Sequence, residues 1–174
     1  DSQLTGVDID IKLKDNTVDW VLQKGNAFII SQDSIEGFNQ IKGSDIISKF
    51  SNGNIYRVNV DGDGAETIYW IRDDDGGLIG IDVSKSKTMV VEMRKNSVEL
   101  IKGFNDITET MYPEDDLKEN DRYLQGFKWH DEARPKDKDD IFRRIEAEMP
   151  KVEVAPSETP SESVAEEEIQ EEQS

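Results

Sequence analysis

The chain has 174 residues and a formal net charge of −18, and 34% of its residues are hydrophobic. Nucleic acids and anionic membrane surfaces bind clustered Lys and Arg, so this charge argues against either as a direct partner. No cysteine is present, which excludes disulfides and Cys-ligated zinc or iron–sulfur sites within the chain.

The first predicted elements are two strands joined by a turn. Apolar and polar residues alternate over residues 4–13, which predicts a half-buried strand. Residues 15–16, Asp-Asn, predict a turn, and the alternation then continues through residues 18–22. Gly25-Asn26 predicts either a hairpin turn or a bulge.

Further strands follow at a spacing of about ten residues, a pattern typical of a β-sandwich, a jelly roll or an open barrel. They are predicted at about residues 26–32, 44–51, 54–61, 66–72, 78–83, 87–94 and 96–103. A strand pattern also occurs twice at a period of roughly 40 residues. In that repeat Gly25 aligns with Gly62, Phe50 with Met93 and Ile55 with Val98. Two copies are few, so we expect a fragment of a longer protein.

After residue 103 the alternation ends. Residues 104–136 carry scattered aromatic residues and predict an irregular extension that wraps the end of the β-domain, which itself covers residues 4–103. Residues 137–149 place their apolar side chains on one face of a short amphipathic helix. Residues 150–174 are rich in Glu, Ser and Pro and predict a disordered acidic tail.

Few residues are suited to catalysis. His130 is the only histidine, and a single histidine in a wrapping segment is more often structural than catalytic. The turns at residues 61–64 and 73–77 are rich in Asp and Gly, but neither completes a calcium loop. Solvated turn chemistry explains them more simply. We therefore predict a protein that is not an enzyme, with no metal site and no cofactor.

An apolar stripe is the strongest candidate for a binding surface. It consists of Trp20, Leu22, Ile46, Phe50, Tyr56, Val58, Val60, Ile68, Trp70, Met89, Val91, Met93, Val98 and Leu100, which would line one face if the strands pair in order. Two interpretations remain open at this point. The stripe forms an ordinary closed core, or it lines a groove between two sheet halves that receives acyl chains, with each buried methylene contributing about 0.8 kcal/mol.

Several short motifs together resemble a known family. They are Gly25-Asn26-Ala27, residues 37–43, residues 55–60, Ile68-Tyr69-Trp70, Met111-Tyr112-Pro113, Leu124-Gln125-Gly126-Phe127-Lys128-Trp129 and Arg134-Pro135. Over about residues 4–142 the chain resembles the C-terminal part of OstA-like proteins of Bacteroidetes, relatives of the periplasmic lipopolysaccharide-transport bridge proteins. The late Tyr-Pro, Gly-Phe-x-Trp and Arg-Pro motifs are the most specific part of this resemblance.

The resemblance implies an all-β fold, an open antiparallel β-jelly roll of stacked V-shaped strands. It further implies a non-catalytic lipid-conduit module of the periplasm or outer membrane that binds the acyl part of lipopolysaccharide. Implied partners are lipid A and other β-jelly-roll transport domains, both inner-membrane anchored and in the outer-membrane translocon, or further copies of the chain joined head to tail. The stripe listed above would be the lipid-binding surface.

Two alternatives compete with the conduit. One is a structural β-domain of an envelope complex that carries no lipid. The other is a calcium-dependent, carbohydrate-binding β-sandwich. A continuous interior groove favours transport, whereas a sealed core favours a scaffold.

Overall fold

The structure, a computed structural model, describes residues 2–33, 37–62, 64–94, 97–132, 135–137 and 139–140. The chain divides into two compact units, residues 1–132 and residues 133–174. In the second unit the backbone N–H groups of Asp139 and Asp140 donate to Asp137 Oδ1, which forms a local turn. The first unit contains all the strands of the described chain.

Within the described residues, ten antiparallel strands form one sheet. They are β1 (Ser2–Thr5), β2 (Asp8–Lys14), β3 (Thr17–Gln32), β4 (Phe38–Ser51), β5 (Asn54–Asp61), β6 (Ala65–Arg72), β7 (Leu78–Ser86), β8 (Thr88–Arg94), β9 (Ser97–Phe104) and β10 (Thr108–Tyr112). The predicted all-β fold of the open jelly-roll type is confirmed.

The long strands β3 and β4 run through two parts of the sheet, which we call the first and second half-sheets. In the first half-sheet the order is β2-β3-β4-β5-β8-β9, using residues 17–24 of β3 and 45–51 of β4. In the second it is β1-β3-β4-β6-β7-β10, using residues 27–32 and 38–43. The chain therefore follows six bent paths that lie side by side in the same order in both half-sheets.

Glycine permits the bend between the half-sheets. In β3 the register shifts between Lys24 and Ala27, where Gly25 has φ +69° and Asn26 has φ +51°. Gly62, between β5 and β6, has φ +98°, and a Cβ there would lie 2.5 Å from the Cβ of Ser44. A side chain at Gly62 would strain the backbone and collide with β4. Of the two interpretations of Gly25-Asn26, the bulge is correct.

Three hairpins of the first half-sheet share the same irregularity. The pair Phe50↔Ile55 follows a register shift in the β4–β5 hairpin, and Met93↔Val98 follows one at the equivalent place in β8–β9. These are the positions that the sequence repeat aligns. The β2–β3 hairpin carries a third copy, with the shift before Leu13↔Val18. Such bulges bend and twist strands, so the three hairpins curve the sheet at equivalent positions beside their turns.

The outer face of the second half-sheet is covered by the chain that follows β10. Leu117 and Leu124 pack there with Phe28, Ile68 and Trp70 in one core cluster. Two short 3-10 turns, Glu114–Asp116 and Glu119–Arg122, carry the chain across the sheet. The extension expected over residues 104–136 is thus irregular only after Tyr112, because its first part pairs with β7 as β10.

Two glutamines fasten this covering segment to the sheet. Gln40 Nε2 donates to Arg122 O at 2.8 Å, and Leu124 N donates to Gln40 Oε1 at 2.8 Å. At the β1 edge, Gln3 Nε2 donates to His130 O and His130 N donates to Gln3 Oε1. The predicted helix at residues 137–149 falls mostly outside the described residues, and the predicted tail at 150–174 falls entirely outside them.

Candidate functional site

The inner face of the first half-sheet, the face turned towards the second, is built from two rows of opposed residues. Each row crosses all six strands because the register is continuous from β2 to β9. One row is Ile11, Val21, Ser48, Val58, Val91 and Ile101, and the other is Ile9, Gln23, Ile46, Val60, Met89 and Gly103. Directly opposed residues on paired strands share a face, so these side chains form one surface.

The centre of this surface is closed. Ile46, Val58 and Val60 are all 0% exposed. The second half-sheet supplies the facing side chains, including Ile41 and Tyr69, which belong to the same core cluster. The two inner faces therefore pack against each other in the middle of the sheet, and we call this shared core the interior.

The edges of the interior are open and apolar. Ile9 is 43% and Ile11 60% exposed on β2, while Met111 on β10 is 50% exposed. Most of the large exposed apolar side chains of the described residues lie on the two edge paths. They are Val7, Ile9, Ile11 and Leu13 on one edge and Leu100, Phe104, Ile107 and Met111 on the other. On the inner face itself, exposed hydrocarbon lies at Ile9 and Ile11 on β2 and at Met111 on β10, whereas Leu100 faces outward.

The structure divides the predicted lipid-binding stripe between two faces. Half of its residues belong to the interior: Ile46, Val58, Val60, Met89 and Val91 lie within the core, and Met93 and Val98 pack against it. Phe50 is half-buried at the β4–β5 hairpin, and Tyr56, the unpaired residue of that bulge, is exposed. These central positions therefore share one face of the sheet.

The other members of the stripe lie on the outer face. Trp20, Leu22 and Leu100 oppose outward residues of their neighbouring strands, which places them on the side away from the interior. Ile68 and Trp70 lie beneath the covering segment in the outer core cluster. Successive residues of a strand point to opposite faces, so a displacement of one residue moves a side chain to the other face. In β6 the inward residues are Thr67 and Tyr69, and Ile68 and Trp70 therefore point outward.

Sequence reasoning missed a group of polar residues on the inner face of β6, β7 and β10. Asp82 and Ser84 are each 5% exposed, and Thr67, which opposes Ser84, is 0% exposed. Ser84 Oγ donates to Asp82 Oδ2 at 2.8 Å. Burial, opposed by this hydrogen bond and reinforced by the charge of Glu109, raises the pKa of Asp82. The alternation of Asp82, Ser84 and Ser86 with Ile81 and Val83 was visible, but polar residues in such a pattern ordinarily face water.

Other candidate sites have local roles. His130 uses its backbone N–H and C=O to pair with Gln3. In the acidic turn, Asp73 Oδ1 accepts hydrogen bonds from the backbone N–H groups of Asp75 and Gly77. A cavity of about 250 Å³ lies beside the outer core, lined by Gly37, Phe38, Trp70, Glu119, Arg122 and Tyr123. Among the residues that the structure describes, no group of three or more His, Cys, Asp or Glu side chains is arranged to hold a metal ion.

Burial sets the chemistry of the interior. Complete burial raises the pKa of the Tyr69 hydroxyl well above its ordinary value, so this group stays neutral at physiological pH. The surface offers hydrocarbon at its centre and edges and a small polar group near β10. Within the described part of the chain, no helix is long and apolar enough to cross a bilayer. A search with protein-family models found no match to the chain, and a search of curated proteins found none either.

Proposed function

We propose that the chain is a non-catalytic, periplasmic lipid-conduit module that binds the acyl part of lipopolysaccharide between its two half-sheets during transport to the outer membrane. The observation that supports this proposal is the interior itself. Its two rows, apolar except for Gln23 and Ser48, run without interruption of register from exposed Ile9 and Ile11 on β2, through buried Val58 and Val91, to the β9 edge.

Acyl chains would bind by replacing contacts that the half-sheets make with each other. Because the centre is closed in the free protein, binding requires the half-sheets to separate along their open side. Each buried methylene of a chain contributes about 0.8 kcal/mol, which offsets the lost contacts between the two inner faces. On this proposal the two half-sheets separate when the acyl chains bind between them.

The edges supply the means of joining similar modules. Edge strands present unpaired backbone groups, and β2 and β9 are edges of the first half-sheet. Addition of a strand from an inner-membrane-anchored or outer-membrane transport domain would cover the exposed side chains of Ile11 and Leu13. The apolar rows would then continue into the next module.

The charge of the chain restricts how an anionic lipid binds. With a net charge of −18, the protein repels phosphate groups at close range. Lipid phosphates would therefore stay outside the interior, in screened solvent or bridged by divalent cations.

Site-specific photocrosslinking tests the proposal in cells. Photoreactive residues at Ile11, Val58 and Val91 lie on one inner row. The controls Lys49 on β4 and Glu92 on β8 lie on the adjacent outward-facing row, and Glu92 directly follows Val91. We expect lipopolysaccharide to be captured from the inner row and not from the controls. Capture at the outward positions alone, or at none, would refute the conduit.

A scaffold is the second candidate, and the closed centre favours it. Val58, Val60 and Val91 are 0% exposed, as in the core of a β-domain that carries nothing. Native mass spectrometry of protein extracted from envelopes separates the two functions. Lipid that copurifies with the wild type and is reduced in Val58→Glu supports transport, whereas lipid-free protein bound to an envelope protein supports the scaffold.

A further inference from the structure

Four polar side chains meet on the inner face near the β10 edge. Thr67 on β6 opposes Ser84 on β7, and Ser84 opposes Glu109 on β10. Asp82 lies two residues before Ser84 and therefore on the same face. Asp82 is close enough to Glu109 for the negative charge of Glu109 to raise its pKa. The sheet register thus brings two carboxylates and two hydroxyl groups together.

The hydrogen-bonding capacity of this group is incompletely used. Asp82 Oδ2 accepts a hydrogen bond from Ser84 Oγ, but Asp82 Oδ1 and Thr67 Oγ1 are buried without a partner among the described residues. Buried polar atoms are ordinarily paired, because leaving one unpaired costs roughly 1–3 kcal/mol. Gln23 Oε1, Ser48 Oγ and Trp70 Nε1 are also buried without a partner in the described part of the chain, so unpaired atoms alone do not define a site. Asp82 Oδ1 and Thr67 Oγ1 differ because they lie beside a second carboxylate at an exposed edge, where a further polar group has access to them.

The charge of the group is also unbalanced. Among the ion pairs of the described residues, none involves Asp82 or Glu109. Burying a carboxylate without a cation is unfavourable, and a second carboxylate beside it adds repulsion. A cation that bridged the two would remove both penalties.

A primary ammonium group fits the donor and acceptor inventory better than a metal ion does. It offers three N–H donors, which match Asp82 Oδ1, Thr67 Oγ1 and the Glu109 carboxylate. Calcium takes six to eight oxygen ligands, and this group reaches six only if both carboxylates bind bidentately and both hydroxyl groups coordinate, which would break the hydrogen bond from Ser84 Oγ to Asp82 Oδ2. The surroundings are apolar, since Met111 opposes Asp82, and Met111 and Ile107 are 50% and 59% exposed at the β10 edge.

We propose that Asp82, Glu109 and Thr67 form a binding site for a primary ammonium group carried on an apolar body, at the β10 end of the interior. This inference rests on the proposed function, because it identifies the polar part of the cargo that the interior recognises. Asp82 accepts the ammonium inside the sheet, while Glu109, which is exposed, attracts it at the edge. The hydrocarbon of the same ligand would lie along Met111 and the inner rows.

The test uses the full chain and two probes below their micellar concentrations, octylammonium and octyltrimethylammonium. Both carry one positive charge and the same hydrocarbon chain, but only the first has N–H donors. We expect octylammonium to produce saturable shifts of the amide resonances of Ser84 and Glu109 and to bind about tenfold more tightly than its trimethylated analogue, the ratio that loss of charged hydrogen bonds gives. Equal binding of the two probes would overturn the proposal, as would saturable binding of calcium or magnesium alone.

Variants locate the site. Asp82→Asn should weaken octylammonium binding by about tenfold, because it removes a buried charged acceptor, and Glu109→Gln should weaken it by about threefold, because Glu109 is exposed. Asp74→Asn is the matched control: Asp74 is an exposed residue of the β6–β7 turn, and its loss changes net charge equally. Unchanged binding in both site variants, with or without a response in Asp74→Asn, would refute the site.

These experiments distinguish failure of the ammonium site from failure of the proposed lipid conduit. If octylammonium fails to bind while Val58 and Val91 still capture lipopolysaccharide, the ammonium site alone is wrong. If octylammonium binds as expected while no lipid is captured on the inner row, the conduit is wrong and the site remains as an amine-binding site.

Discussion

The two half-sheets share β3 and β4 but differ in what covers their outer faces. In the second half-sheet, Leu117 and Leu124 of the covering segment bury Ile68 and Trp70. In the first, the outward row that includes Lys49 and Arg57 faces solvent. The same strand is therefore buried on both faces at one end and on a single face at the other.

The sequence pattern of the strands differs in the same way between the two half-sheets. Where both faces are covered, the chain has continuous apolar runs, such as Ala27-Phe28-Ile29-Ile30 and Ile68-Tyr69-Trp70-Ile71. Where one face is open, apolar and polar residues alternate, as in residues 57–60 of β5. Continuous runs are typical of strands buried on two sides and alternation of strands buried on one. A break in alternation thus marks the area that another segment covers.

The largest expected effect comes from truncating the same residue type on the outer face of each half-sheet. Ile68→Ala should lower the free energy of unfolding by about 4 kcal/mol, because Ile68 is 1% exposed beneath the covering segment. Ile47→Ala, on the outer face of the first half-sheet, should cost about 1 kcal/mol, because Ile47 is only partly buried. Urea unfolding of both variants measures the difference. Equal losses would mean that the segment does not seal the second half-sheet in solution.

Ion pairs provide the next comparison. Arg72 binds Asp33 in the second half-sheet, and the two side chains are 17% and 8% exposed. Arg57 binds Glu92 on the open face of the first at 3.4 Å, with both side chains 39% exposed. We expect Arg72→Met to cost about 3 kcal/mol and Arg57→Met under about 1 kcal/mol, since exposed pairs contribute little.

The same urea titrations, repeated in high salt, test this reasoning. Screening should reduce the small effect at Arg57 and leave most of the effect at Arg72, because partly buried pairs are screened less. A loss at Arg57 as large as that at Arg72 would contradict the assignment of the first outer face to open solvent.

Much of the fold followed from sequence because its signals are local. The turn at Asp15-Asn16 needs positive φ at both residues, and both adopt it, at 50° and 61°. The repeat aligned Phe50 with Met93 and Ile55 with Val98, and both pairs occupy the same place in their hairpins. Spacing and turn chemistry carry such information without knowledge of distant contacts.

The candidate site was harder to predict because it depends on which face each strand presents. Ile68 and Trp70 have the composition of inward residues, yet they point outward, where residues more than 45 positions later cover them. Asp82 and Ser84 have the composition of outward residues, yet they point inward. Pairing between distant segments decides which face of a strand is turned inward. Alternation within one strand therefore does not tell which of its two sets of residues faces the interior.

A smaller effect is expected at the glutamines that hold the covering segment. Gln40 is 0% exposed and pairs with the backbone of Arg122 and Leu124, so Gln40→Ala should cost about 2 kcal/mol by leaving two backbone groups unpaired. Gln3 makes the equivalent pair with His130 in a partly buried place, and Gln3→Ala should cost about 1 kcal/mol. Hydrogen exchange at the amides of Leu124 and His130 reports each loss separately. Unchanged protection of Leu124 in Gln40→Ala would show that the apolar contacts alone hold the segment.

The last comparison concerns the interior, where Asp82 lies close to Glu109 while the central rows of the first half-sheet carry no charged residue. Because burial raises the pKa of Asp82, its ionised form is disfavoured in the folded state. The neutral form of Asp82 stabilises the folded state fully below the ordinary pKa of Asp, and this stabilisation is lost as pH rises through the raised pKa.

In amine-free protein, Asp82→Asn should therefore raise the melting temperature at neutral pH. The gain should shrink in acid, where the Asp82 side chain of the wild type is neutral too. Asp74→Asn, on an exposed turn, should shift the melting temperature slightly and equally at both pH values. A melting temperature lowered by Asp82→Asn at neutral pH but not in acid would mean that the folded protein stabilises the ionised carboxylate. Octylammonium should reverse the sign of the difference, because a bound cation makes ionised Asp82 favourable and has no such partner in the Asn variant.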